Sequence, residues 1–253
     1  MKKQFLRLLF LITLFSGMRT DVKAQLVYIP DSAFRAYLNQ NFGSCMVGDS
    51  IDPSCPDVLN ATYISVASLG IISLSGIEIF TNCRNLYCSG NNLTSLPNLP
   101  PLLINLHCSF NLLTSLPTLN ANLSVLYCDN NLLTSLPSLN ANLGFLSCGN
   151  NLLTSLPALS SNLHRLVCNN NQLTSLPALP LGLRTLNISK NQISVLPSIP
   201  DTLTHLYCFN NQLTSLPQLP STLKYLKCYQ NQIINLPVLP PGLQNLECYE
   251  NLL

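Results

Sequence analysis

Charge is what this 253-residue chain has least of. Only 9% of its residues are charged, against 47% that are hydrophobic. That balance excludes an intrinsically disordered chain, which combines low hydrophobicity with high charge. Twelve Lys and Arg face ten Asp and Glu, so the chain also lacks the dense basic surface that nucleic-acid binding requires. Trp is absent and there are three His. No Gly-rich phosphate loop, H-E-x-x-H or C-x-x-C occurs, which removes the common sequence signatures of phosphate, zinc-protease and dithiol chemistry. No apolar run approaches the ~20 residues that a membrane helix needs.

Residues 1–24 have the form of an export signal. Lys2, Lys3 and Arg7 make a basic n-region, residues 6–15 are almost wholly apolar, and Val22-Lys23-Ala24 offers a cleavage site. Five basic residues and one acidic residue lie in this segment, which leaves seven and nine for the mature chain. The mature protein is thus expected to be exported, weakly acidic and without a membrane span.

What is abundant is repetition. A unit L-x-x-L-x-C-x-x-N-x-L-T-S-L-P-x-L-P-x-x recurs every 20 residues from Leu103, with an earlier copy opening on Cys83. Nine copies fill residues 83–253, the last cut short. Within each, Leu106 and Cys108 alternate with Asn105 and His107, the period-2 pattern of a short strand with one buried face. Asn111 suits a turn, because its amide both donates and accepts. Pro117 argues for an extended, polyproline-like return segment that brings Leu113, Leu116 and Leu119 back to the core. One coil cannot bury its own leucines, so the coils must stack into a mainly-β repeat solenoid with parallel strands ~4.8 Å apart.

Residues 25–82 read as an N-terminal cap. Asp31 is placed to cap a short helix with Phe34, Tyr37 and Leu38 on one face. A polar loop carrying Cys45 and Cys55 follows, then a degenerate first strand at Ile64 and Val66. In an exported protein these two cysteines are disulfide candidates. Residues 83–253 end partway through a coil, and a terminal repeat normally carries a polar cap. The chain is therefore expected to continue beyond Leu253.

Eight of the nine remaining cysteines form a column; Cys83 takes a leucine position. Cys88, Cys108, Cys128, Cys148, Cys168, Cys208, Cys228 and Cys248 share one inward strand position, with Ile188 in the gap. Ile can fill a core slot but cannot ligate metal, so the column reads as buried small hydrophobes. Side chains in parallel register point the same way, which suits neither disulfides nor a convergent metal site. No metal or cofactor is expected.

No catalytic residues are assigned. His107 and His205 stand roughly 24 Å apart at ladder spacing, too far to serve one proton transfer. The outward strand positions are instead the least repetitive part of each unit. His205, Tyr207, Phe209, Tyr225, Lys227, Tyr229, Glu247 and Tyr249 cluster on three adjacent coils and are the candidate ligand contacts.

The motif, as carried by Leu203, Leu206, Asn211, Leu213, Leu216, Pro217, Leu219 and Pro220, resembles the leucine-rich repeat family. It is similar to the short bacterial class of YopM-like and IpaH-like repeats. I-P-D-x-x-F at residues 29–34 and L-S-G-I-E-x-F at residues 74–80 resemble an internalin-like cap. The resemblance implies a parallel-strand horseshoe whose concave face binds a protein or glycan. It departs from the family in placing Cys where many relatives have Val, Leu or Ile, and in carrying an export signal that the effectors lack. The ligase domain of IpaH-like effectors is missing. The expected function is non-enzymatic recognition or adhesion at the cell surface; the alternative is a structural surface repeat protein without a specific ligand.

Overall fold

Each 20-residue unit forms one coil, and every coil is completed by the next. The computed structural model describes residues 25–253; the proposed export segment, residues 1–24, lies outside them.

The cap begins with β1 (Val27–Tyr28), followed by helix α1 (Ser32–Asn41). Asp31 caps the helix, its Oδ1 accepting from the Phe34 amide at 2.8 Å. Its Oδ2 accepts from the amides of Ile72 and Ser73, which fastens the helix to the following coil. Phe34 and Leu38 are fully buried, and Tyr37 packs half-buried beside them.

The polar loop expected around Cys45 and Cys55 is more ordered than a loop. A 3₁₀ turn, Gly43–Cys45, leads into a hairpin of β2 (Met46–Val47) and β3 (Ser50–Ile51), and α2 (Pro56–Asn60) follows. Gly48 takes the left-handed conformation that the two-residue hairpin turn requires, and Pro56 suits the start of a helix. β1 joins the hairpin through antiparallel pairing with β3. Cys45 and Cys55 are joined in a disulfide.

The repeats form one sheet of ten parallel strands. It opens with β4 (Tyr63–Ser65), the degenerate strand, whose Ile64 is buried. There follow β5 (Asn85–Tyr87), β6 (Asn105–His107), β7 (Val125–Tyr127), β8 (Phe145–Ser147) and β9 (Arg165–Val167). The series closes with β10 (Thr185–Asn187), β11 (His205–Tyr207), β12 (Tyr225–Lys227) and β13 (Asn245–Glu247). Their order in the sheet is their order in the chain. From β5 onward each residue pairs with the residue 20 positions later, so the sequence period is also the register.

The turn after each strand is fixed by asparagine. Asn111 Nδ2 donates to the Cys88 and Cys108 carbonyls at 3.0 and 3.1 Å, spanning two coils. Its Oδ1 accepts from the Leu93 amide at 3.1 Å. The pattern recurs at Asn131, Asn151, Asn171, Asn191, Asn211 and Asn231. The residue before each asparagine is left-handed. Gly90 fills that position once and Asn130, Asn150, Asn170 and Asn210 tolerate it, but Phe110, Lys190, Gln230 and Glu250 hold it against their side-chain sterics.

The return segments contain no strand, and in the coil above Leu113, Leu116 and Leu119 are all buried. Seven cysteines of the column are fully buried, as is Ile188. Cys248 departs from the expectation of uniform shielding: it is half-buried, because no coil covers the outer side of the last strand. Among the described residues, no helix is long and apolar enough to cross a membrane.

Two outcomes follow. Replacing Phe110 with Asn removes left-handed strain from an exposed side chain, so the urea midpoint should rise, by about 1 kcal/mol of stability. A fall would mean that Phe110 makes a contact worth more than its strain. Burial pushes the Cys88 and Cys168 thiols from an ordinary 9.0 up to about 12. Unfolded thiols ionise near 9 while folded ones keep their protons, so stability is intact below that pH and falls as pH rises toward about 12. Unfolding midpoints measured across this window should decline, and less steeply for Cys128→Val; parallel declines would contradict the shielding.

Candidate binding face of the sheet

Side chains of the sheet point alternately into the core and out to the open face. Leu and Cys take the inward positions in nearly every coil, which leaves three outward columns free to vary. The first is the opening residue of each strand, the second is its last residue, and the third lies just after the column cysteine. Cross-strand pairs within a column are separated by one strand spacing, close enough for rings to stack.

The eight candidate contacts are brought together on β11, β12, β13 and the residues that follow each. His205 and Tyr225 stack at 4.6 Å with 11° between their planes. Phe209, Tyr229 and Tyr249 form a second stack, at 4.5 Å for both pairs. Tyr207 lies beside His205 at 6.2 Å, and Lys227 pairs with Glu247 at 2.8 Å. All except Tyr249 are half-buried, since each ring covers its neighbour.

A second aromatic run occupies the other half of the sheet. Tyr63, Tyr87, His107, Tyr127 and Phe145 succeed one another at 5.3, 4.4, 4.4 and 4.5 Å. The Arg165 guanidinium caps the run, 5.3 Å from the Phe145 ring centroid. Sequence reasoning passed over it. The signal was present in the consecutive Tyr87, His107 and Tyr127 of the second column, but the run crosses to the first column at both ends, which a column-by-column reading hides.

Two histidines and one lysine of the face have shifted pKa values. Burial between Tyr87 and Tyr127 depresses the pKa of His107. His205 is also depressed, by burial first and then by the Arg165 and Lys224 cations. Its Nδ1 lies 2.8 Å from Thr204 Oγ1, which in turn donates to the Arg184 carbonyl, so His205 is the donor of that pair and Nε2 stays free. Asp129 is engaged from several sides: Ser147 Oγ donates at 2.6 Å, the Gly149 amide at 2.9 Å and Ser109 Oγ at 3.3 Å. The hydrogen bond to Glu247 raises the pKa of Lys227.

Other features of the described residues lie away from this face. Cys45, Cys55 and Asp57 group closely enough to suggest a metal site, but the disulfide consumes both sulfurs and Asp57 accepts from Ser44 Oγ. An open groove of about 550 Å³ lies among the return segments around Pro217, Leu219, Val238 and Pro240, with Asp201 as its one charged group.

No protein-family model matches the chain, and a search of curated proteins found no match. Solved structures do match. YopM from Yersinia enterocolitica is 32% identical with a TM-score of 0.68, over 77% of this chain and 53% of that one. YopM from Yersinia pestis, a leucine-rich effector protein, is 35% identical with a TM-score of 0.67, over 75% of this chain and 61% of that one. The functional domain of InlJ from Listeria monocytogenes, which includes a cysteine ladder, is 29% identical with a TM-score of 0.81, over 90% and 53%. The chain thus spans between about half and three-fifths of the length of these structures.

The stacks differ in what they contribute to stability. Tyr229 touches a ring on each side, whereas Tyr207 has only His205 at longer range. Tyr229→Ala should therefore cost about 1–2 kcal/mol and Tyr207→Ala below about 0.5 kcal/mol in urea unfolding. Equal losses would show that ring stacking does not govern the face.

The parallel ladder at a 20-residue period, its asparagine turns and these structural relatives together establish that the chain belongs to the leucine-rich repeat proteins.

Proposed function

We propose that the chain is an exported, non-catalytic recognition module that binds a protein partner on the open, concave face of its sheet. Membership of the leucine-rich repeat proteins supports a protein-interaction repeat module. One observation carries the choice of face: the outward strand positions vary from coil to coil while the inward ones repeat, and aromatic rings gather on them in two runs.

Stacking favours a protein over a glycan. A sugar that packs on an aromatic ring needs a free ring face, yet Tyr229 is covered on both sides at 4.5 Å. What these stacks offer a partner is ring edges and hydroxyls, the amphipathic contacts common at protein hot spots. Export is supported by the signal-like residues 1–24 and by the Cys45–Cys55 disulfide, a bond favoured outside the cytosol. The chemistry of the face argues for binding without turnover: Asp129 already accepts three hydrogen bonds and His107 is walled in by two tyrosines.

A second reading is a structural repeat protein without a specific ligand. It is favoured by the same stacks, because cross-strand rings stabilise a sheet whether or not anything binds.

Site-specific photocrosslinking separates the two. A photoreactive residue at Tyr207 should yield one discrete adduct on the producing cells or their target surface, while the same residue at the highly exposed Val238 of a return segment should not. Adducts at neither position, or at both alike, would remove the recognition reading.

A further inference from the structure

The near-neutral composition conceals a division of charge along the solenoid. Residues 25–162 hold two basic and six acidic residues; residues 163–242 hold Arg165, Arg184, Lys190, Lys224 and Lys227 against Asp201 alone. The basic stretch is ordered in space. His164, Arg184, Thr204 and Lys224 each precede a strand, and their backbones are hydrogen-bonded in one row at 2.9 Å per step. That row forms one flank of the open face. Arg165 opens β9 beside it, and His205 opens β11.

These cations lack carboxylate partners. Among the described residues, Arg165, Arg184 and Lys224 make no ion pair, whereas Lys227 is neutralised by Glu247. All three are exposed. Their field is felt at His205, whose protonation Arg165 and Lys224 both oppose. Like charges gathered without counter-charge on one exposed flank attract an anionic partner and speed its encounter. Arg165 also lies over the Phe145 ring, and its planar fork suits bidentate pairing with a carboxylate.

We propose that this flank, Arg165, Arg184 and Lys224 around His205, receives an acidic segment of the protein partner, rich in Asp or Glu. The inference rests on the recognition reading and specifies its chemistry. Carboxylates pair with the three cations while the segment's remaining side chains meet the edges of the His205–Tyr225 stack and the Tyr207 hydroxyl.

Fluorescence anisotropy with labelled oligoglutamate tests it. Binding should weaken as salt rises, and Arg184→Gln should weaken it about tenfold, the loss of roughly one charge-assisted pair. Lys190→Gln removes the same charge from the far flank and should change affinity less than about twofold; both variants should keep the parent unfolding midpoint. Equal effects of the two variants, or no binding at low salt, would overturn the inference. So would tighter binding of labelled oligogalacturonate or single-stranded DNA than of oligoglutamate. The recognition reading fails separately. A partner that crosslinks at Tyr207 equally well with Arg184→Gln in place removes the acidic segment and leaves recognition standing.

Discussion

Everything in this molecule depends on one side-chain amide reaching across two coils. Asn131 Nδ2 donates to the Cys108 carbonyl of the preceding coil and the Cys128 carbonyl of its own, and Oδ1 accepts from the Leu113 amide. These backbone groups sit at a buried turn where water does not reach them, and leaving one unpaired costs about 1–3 kcal/mol. The leucines need the same arrangement. Leu106, Leu126 and Leu146 become fully buried only because neighbouring coils stand on either side. Hydrogen bonding and burial therefore demand the same thing, a neighbour at one strand spacing. The monotony of the sequence is the consequence.

That constraint leaves the outward positions of the sheet free. A residue there faces a partner or its cross-strand neighbour, but no core. Aromatic rings accumulate where they stack on each other, and cations accumulate along one flank near β9 to β12. These outward positions form a surface that the core packing does not dictate. The cysteine column belongs to the other side of this division. Burial raises the pKa of its seven shielded thiols, and the interruption at Ile188 packs as fully as its neighbours.

The repeat architecture was legible because its signals are strong and local: a fixed 20-residue period, a period-2 strand at Leu106 and Cys108, and a turn asparagine at a constant offset. The helix after Asp31 was legible for the same reason. The hairpin Met46–Ile51 was not, because its two-residue strands are too short to show alternation and its turn rests on Gly48 alone. The left-handed residue before each asparagine was hidden by its variety, since Phe110, Lys190 and Gln230 are poor advertisements for that conformation. The aromatic run from Tyr63 to Phe145 crosses between columns, and the charge division vanishes when the chain is summed as a whole. Both become visible only once register places residues 20 apart side by side.

A coil exists only through its neighbours, with the asparagine ladder as the tie. Amide hydrogen exchange on Asn171→Ala tests it directly. Asn171 Oδ1 holds the Leu153 amide of the preceding coil, and Nδ2 holds the Cys148 and Cys168 carbonyls. Exchange is expected to accelerate at Leu153 and through the coils on both sides of the substitution, while the coil containing Leu113 keeps its protection. Acceleration confined to residues 163–182, with Leu153 as slow as before, would contradict the account.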